Sequence, residues 1–487
     1  MPAPRGAPLQ GCQTHRPVSP LLRLGYGVGQ FIEGVKSAAF TFVFFFYTQV
    51  LGVPAGPAGL VLFVATVFDA ITDPMMGSIS DRTRHRWGPR LIYLYAAAVP
   101  TGIAFALMFL PPASWSPTAL TWWLLGTAVL VRGVMTIVHV PYLALGADLS
   151  DNYTERTAIV AARTAFGMGG LGVMLAVAWG VFFKSTPEFP NGQLNAAAYP
   201  GFGLVCAVAS AVVILVAALS THRRVAASTT EPRVATTTEP RDFSPGVTAN
   251  AILTDWRDAL SNRSFRLLLI GLLAFGTMRG VQETLSVHLF TYFWRLAPAE
   301  ILQVFVAGLA SLVAAIPVWT AAARRFDKKP VLITGAAGFA AVVVTIPLLG
   351  LFGWFPAREA SAFLPTLLLG YVVAGALGSA VFVASGSMLA DVAGVLRTHH
   401  RRGLTAVVFG ASALSFKVTT GLGGWLAGLV LAVSAFPVGV QPGEVPAGAL
   451  RGLVLGYGPA AGVLAIVAVM AFSQYTLPRV SGADGDR

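Results

Sequence analysis

Two carboxylates stand inside an apolar run of this chain. They are Asp69 and Asp73, in T-V-F-D-A-I-T-D-P-M-M-G-S-I-S-D-R-T-R-H-R-W-G-P-R (66–90). The run begins at Ala58 and ends near Ile79, and Asp81 marks its polar boundary. At about 1.5 Å per helical residue, Asp73 lies roughly 12 Å and Asp69 roughly 18 Å inside that boundary. The spacing puts Asp69, Thr72, Asp73 and Met76 on one helix face. An ionised side chain at such depth in a bilayer costs several kcal/mol even on the milder scales. Two of them one turn apart also repel, unless a cation or a proton sits between them. That pattern points to an ion or proton pathway.

Other charged residues share the apolar runs. Glu33 and Lys36 stand at i and i+3. Arg132, Thr136 and His139 fall at i, i+4 and i+7, one stripe of a helix. Arg279 and Glu283, at i and i+4, either satisfy each other or serve a solute or a gate. Asp81 and Arg82, with Gly77 allowing close approach, are expected to latch helices at the polar boundary. His399-His400, within R-T-H-H-R-R, has no acidic or cysteine ligand beside it and reads as a loop. Asn152-Tyr153-Thr154 is a formal glycosylation sequon on the side expected to face the cytoplasm, and is set aside.

These residues must be held by membrane-spanning helices. Hydrophobic residues make up 55% of the 487 and charged residues 11%, and the mean hydropathy is +0.71. A soluble domain with a single core is excluded by such values. The formal charge of +12 sits in short loops between apolar runs, which is a topology signal and no nucleic-acid surface. Cys12 and Cys206 do not make a disulfide framework. Residues 1–21 contain no apolar core, so no cleaved signal peptide is expected.

Twelve spans follow, at 24–50, 57–80, 90–111, 119–147, 157–183, 199–221, 264–293, 299–322, 329–352, 361–390, 404–435 and 449–473, each long enough to cross about 30 Å of hydrocarbon. With both termini in the cytoplasm, Arg82, Arg84, Arg86, Arg90, Arg223, Arg224, Arg324, Arg325, Lys328, Lys329, Arg397, Arg401 and Arg402 lie inside. Lys184, Arg295 and Arg358 lie outside. The organisation is a leader (1–23), a six-helix half (24–221), a linker (222–263), a second six-helix half (264–475) and a tail (476–487). The linker carries T-T-E-P-R twice and has no means of burying a core. Within it, Ile252 to Leu260 is expected to lie at the inner interface, with Trp256 as anchor. A-A-R-R-F-D-K-K-P-V-L (322–332) reads as a worn copy of the loop at 77–90, so the halves look duplicated. Paired six-helix halves are a transporter architecture with its site at the midplane.

The loop G-S-I-S-D-R-T-R-H-R-W-G-P-R (77–90) resembles that between the second and third helices of major facilitator transporters. The longer D-A-I-T-D-P-M-M-G-S-I-S-D-R-T-R-H-R-W-G resembles one branch, the glycoside–pentoside–hexuronide:cation symporters. L-G-Y-G-V-G-Q-F (24–31), P-Y-L-A-L-G-A-D-L-S-D-N-Y-T-E-R-T (141–157), S-M-L-A-D-V-A (387–393) and F-G-A-S-A-L-S-F-K (409–417) add to it. The resemblance covers roughly residues 24–475 and is looser in the second half. It implies an all-α membrane protein with the major facilitator fold. Asp69, Thr72, Asp73 and Thr136 match the family's sodium-coordinating positions, with Thr72 where asparagine is familiar. Four such oxygen-bearing side chains suit a hard cation. Lys417 matches a lysine that approaches the carboxylates, and Arg163 an arginine of the sugar site. Where the family carries sugar-binding aspartates in its first and fourth helices, this chain has Gly34 and His139. The coupling site looks intact and the solute site rewritten. Glu33, His139 and Arg163, with Lys36, Arg132, Arg279 and Glu283, are the candidates for the solute.

The expected function is symport of a small hydroxylated solute, a sugar or glycoside, with Na⁺ or H⁺ across the bacterial inner membrane. An amphiphile such as a lysolipid, or an organic anion, is the alternative. No cofactor is expected beyond the coupling ion, nor any nucleic-acid partner, and the chain is expected to work as a monomer. A membrane enzyme would need a nucleophile–base pair or a metal cluster at one face, and neither is legible. A phosphate-binding loop is excluded, since none of Lys36, Lys184, Lys328, Lys329 and Lys417 follows a glycine.

Overall fold

The computed structural model describes residues 18–88, 90–112, 114–150, 152–230, 249–399 and 405–476. The expected helices at 24–50 and onward are present, with ends shifted by a few residues. They are α1 (Pro20–Val50), α2 (Ala55–Arg82), α3 (Leu91–Met108), α4 (Pro117–Asp148), α5 (Thr154–Phe182) and α6 (Ala198–Ala226). The second half has α7 (Arg263–Phe293), α8 (Pro298–Phe326), α9 (Lys328–Leu351), α10 (Phe363–Leu396), α11 (Val407–Val433) and α12 (Ala447–Ser473). All twelve are long and apolar enough to cross a membrane. The α6 helix runs on to Thr230, so the expected linker start at 222 lies within a helix. A short helix, Ala249–Ser261, precedes α7. Residues 231–248, which hold all but the first two residues of the repeated T-T-E-P-R, lie outside the described residues, as do Cys12, His400, Arg401, Arg402 and the tail from 477.

Helix starts follow local chemistry. Ser19, Ser116, Asn152 and Asn262 accept backbone N–H groups at the starts of α1, α4, α5 and α7, which would otherwise lack partners. α1 is interrupted at Gly29–Gln30 and resumes at Phe31.

The duplication is visible in backbone detail. α1 ends in a π-turn over Phe46–Val50 and α7 in one over Leu289–Phe293. Each closes with the same bonds: Leu51 N donates to Phe46 O (3.0 Å) and Val53 N to Tyr47 O (2.8 Å), while Trp294 N donates to Leu289 O (3.0 Å) and Leu296 N to Phe290 O (2.9 Å). The next turn takes positive φ in both halves, 79° at Gly52 and 51° at Arg295. Glycine adopts that region freely; arginine there is strained.

In the first half α2 packs on α4, α3 on α4 and α6, and α1 on α5 and α6. In the second α7 packs on α11 and α12, α8 on α10, and α9 on α10 and α12. The seam between halves runs chiefly along α2 and α11. It is tightest toward the end of α1 remote from the N-terminus, here called distal. A Cβ on Gly59 would sit 2.7 Å from Gly424 O, and one on Gly428 only 2.3 Å from Ala55 O. At the same end a buried polar cluster bridges the halves. Tyr292 donates to Gln49 Oε1 (3.1 Å), Gln193 Nε2 to Thr291 Oγ1 (2.9 Å), and His288 Nε2 lies 3.4 Å from Thr48 Oγ1. The distal end is closed.

Candidate functional site

Midway along the seam, α2, α4 and α11 bring five expected side chains together. Asp69, 5% exposed, and Asp73 stand one turn apart on α2. Thr136 Oγ1, from α4, lies 2.9 Å from Asp69 Oδ1 and 3.0 Å from Asp73 Oδ1, so its single proton serves one carboxylate at a time. Thr72 Oγ1 is 3.3 Å from Thr136 Oγ1. Lys417 reaches across from α11, 2.8 Å from Asp69 Oδ2 and paired with Asp73 Oδ2 as well. Three side-chain oxygens of α2 thus lie within 3.3 Å of the Thr136 hydroxyl, and oxygens of these kinds are the ligands a hard cation takes. A lysine from the other half stands against them.

Arg132 borders a cavity between the halves and reaches the carboxylate site as well. Its Nη1 lies 3.3 Å from Asp69 Oδ2, joining the carboxylate site, while its guanidinium stands 4.7 Å above the Phe40 ring. Beside it a cavity opens between the halves, lined by Phe40, Thr41, Phe44, Thr66, Arg132, Glu283, Thr284 and Thr420 among others. Aromatic faces, hydroxyls, one guanidinium and one carboxylate line a single space. Glu283 is exposed to it and makes no ion pair among the described residues. The cavity residues Phe40, Phe44 and Thr420 were missed in the sequence. The signal was there: Glu33, Lys36, Phe40 and Phe44 form one α1 stripe, and Lys417, Thr420, Gly421 and Gly424 one α11 stripe.

The other expected groupings hold only in part. Glu33 pairs with Lys36 (2.5 Å), and its Oε1 lies 3.1 Å from His139 Nδ1, too poorly aligned for a hydrogen bond. Arg163 does not join them. It lies against the Tyr26 hydroxyl, two helical turns before Glu33, where Tyr26 and Tyr142 stack at 4.6 Å and bond each other's carbonyls. Arg279 does not pair with Glu283; its guanidinium lies 4.8 Å over Phe339 within the second half. Helical spacing allowed the pair, but an aromatic neighbour took the cation.

The latch also differs. Asp81 is 3.2 Å from Arg90 Nη2, and Arg90 also pairs with Asp148 and donates to Ala144 O (2.9 Å). Arg90 therefore ties α2, α4 and the loop before α3. Arg82, adjacent to Asp81 on the same helix, points elsewhere, because neighbouring helical positions do not share a face. Gly77 is not needed for close approach: a Cβ there would meet only Val140 Cγ1, at 3.7 Å.

Gly34 explains why the first-helix aspartate is missing. A Cβ at Gly34 would lie 2.2 Å from Leu171 N and 2.4 Å from Gly170 C, against the α5 backbone. No side chain fits there, and the neighbouring acidic residue is Glu33.

Comparison with known proteins then fixes the relationship. Residues 25–479 match the family described as MFS/sugar transport protein. The chain belongs to that family. It is a transporter of the major facilitator superfamily and not an enzyme. A putative glycoside/cation symporter of Escherichia coli, YagG, is 25% identical over 429 residues, 87% of this chain and 85% of that protein. An uncharacterized symporter of Synechocystis is 31% identical over 233 residues, which span 46% of this chain and only 42% of that protein. The nucleoside transporter NupG shares the fold, with a TM-score of 0.63 at 15% identity, covering 93% of this chain and all of that one.

Proposed function

We propose that this protein is a cation-coupled symporter of the bacterial inner membrane, moving a small hydroxylated solute, a sugar or glycoside, by alternating access of its two halves. The observation that carries the reading is the carboxylate pair of α2, bridged by Lys417 from the opposite half at the edge of a cavity lined by both. A cation bound by Asp69, Asp73, Thr72 and Thr136 releases Lys417, and with it the seam between α2 and α11. Cation binding and movement of the halves are thereby coupled.

The cavity suits a hydroxylated solute. Arg132 donates, Glu283 accepts, the threonine hydroxyls do both, and Phe40 and Phe44 offer flat apolar faces to a sugar ring. Glu33, Lys36 and His139 extend the polar wall along α1 and α4. Arg163 and Arg279 act at one remove, behind Tyr26 and Phe339. Both termini and the linker lie in the cytoplasm, as the arginine- and lysine-rich loops at the proximal end require. The closed distal end then faces outward. One chain is a complete transport unit, since both halves of the site come from it. The likeness to YagG, a putative glycoside/cation symporter, supports this solute class.

The test is uptake into proteoliposomes of a panel of radiolabelled glycosides, pentosides and hexuronides under imposed Na⁺ or H⁺ gradients. Accumulation of a panel member driven by one of the gradients is expected. Uptake of none of them, or uptake indifferent to both gradients, refutes the reading.

A further inference from the structure

Arg132 touches the carboxylate site and the cavity at once. Its Nη1 is 3.3 Å from Asp69 Oδ2, the oxygen that Lys417 also approaches at 2.8 Å. Asp69 and Asp73 carry two negative charges; Lys417 and Arg132 return two positive ones. With Lys417 alone, one negative charge would remain, the condition under which a monovalent cation is welcome. Arg132 supplies that charge from within the chain. Yet its hold is slight: one longish contact to a carboxylate and a ring beneath it, with its buried Nε lacking a hydrogen-bond partner. A bidentate guanidinium–carboxylate fork would be far stronger.

We propose that Arg132 is a resident competitor of the coupling cation, excluding Na⁺ from Asp69 until a solute in the cavity draws the guanidinium away. The inference rests on the transport reading above and deepens it. Solute oxygens in the cavity accept from the guanidinium N–H groups, which uncovers Asp69. The carboxylate and threonine oxygens then take the ion. Each ligand raises the affinity of the other by the same factor, because linkage is reciprocal. An empty carrier loaded with cation alone, the species that would leak ions, is thereby disfavoured. Arg132 is a positioning residue in this scheme, holding the pair in its cation-free state.

The test needs no solute. Radioactive Na⁺ binding is measured by equilibrium dialysis on the purified full chain in detergent, for the wild type, Arg132→Gln, Arg132→Lys, and Arg132→Gln combined with Asp73→Asn. Arg132→Gln is expected to bind Na⁺ about a hundredfold more tightly than the wild type, the repulsion between unit charges about 4 Å apart discounted for nearby water. Arg132→Lys keeps the charge and stays near the wild type. The double variant loses the gain, which places the ion at the aspartate pair. A damaged fold weakens binding and cannot produce a gain. Equal Na⁺ affinity in the wild type and Arg132→Gln overturns the proposal, as does a gain that survives Asp73→Asn. If wild-type proteoliposomes meanwhile show gradient-driven uptake, only the role of Arg132 falls; if they show none, the transport reading falls with it.

Discussion

Asp73→Asn isolates the charge that the coupling site needs. Asparagine keeps the shape of the side chain and one carbonyl oxygen, but removes a unit negative charge from the ion's first neighbours. Two unit charges about 4 Å apart, at the effective dielectric of a protein surface, interact by about 4 kcal/mol. The Asp73 side chain is 26% exposed, so about half of that is lost to solvent, leaving about 2 kcal/mol, or about thirtyfold in cation affinity. Lys417 retains Asp69 at 2.8 Å, so the seam and the fold should hold. The assay compares two fluxes in the same proteoliposomes. Accumulation against a solute gradient, driven by an imposed cation gradient, should be abolished. Exchange of solute at equal, saturating cation on both sides should persist, because it needs no net cation movement. Accumulation at the wild-type level would refute the assignment of Asp73 to coupling.

Further outcomes follow from particular contacts. Gly428→Val places a side chain where the Ala55 carbonyl lies 2.3 Å from a Cβ, so the distal end cannot close; solute transport should stop, and Phe44→Cys in that background should react with an impermeant thiol reagent from outside intact cells. Arg90→Ala should lower stability by about 1 kcal/mol, since it removes the bond to the half-buried Ala144 carbonyl and two solvent-screened pairs with the exposed Asp81 and Asp148, whereas Arg82→Ala should change it by less than about 0.5 kcal/mol; thermal unfolding in detergent distinguishes them. Glu283→Gln should weaken solute binding about tenfold by loss of a charged acceptor, with Na⁺ affinity in the absence of solute unchanged, and an unaltered solute Kd would remove Glu283 from the cavity's working surface.

The helices were legible because a bilayer demands about 20 apolar residues per crossing, and the runs show it directly. Asp69 and Asp73 were legible because charge at that depth has few uses. Their gathering with Thr72, Thr136 and Lys417 came from the family resemblance; nothing in the spacing of separate helices could have placed Lys417 there. Arg132 was read with the solute, but its contact with Asp69 was not legible, since a helical stripe shows which residues share a face and not which neighbour faces them. The same limit produced the expected pairing of Arg279 with Glu283, which Phe339 displaces. Phe40 and Phe44 were hidden by their type, because an aromatic residue in an apolar run reads as core. Gly34 was visible only as a departure until the α5 backbone explained it. Arg90 lay in a loop rich in arginines, and only the fold distinguishes it from Arg82.

The central claim is that solute and cation move together through the site held by Asp69, Asp73 and Lys417. It is tested most directly by loading proteoliposomes with no imposed gradient, adding a transported glycoside outside, and recording cation movement with a sensor inside. Addition of the solute should drive cation inward in fixed proportion to solute uptake, and Asp73→Asn should abolish that flux. Solute entry at the wild-type rate with no accompanying cation would contradict the claim.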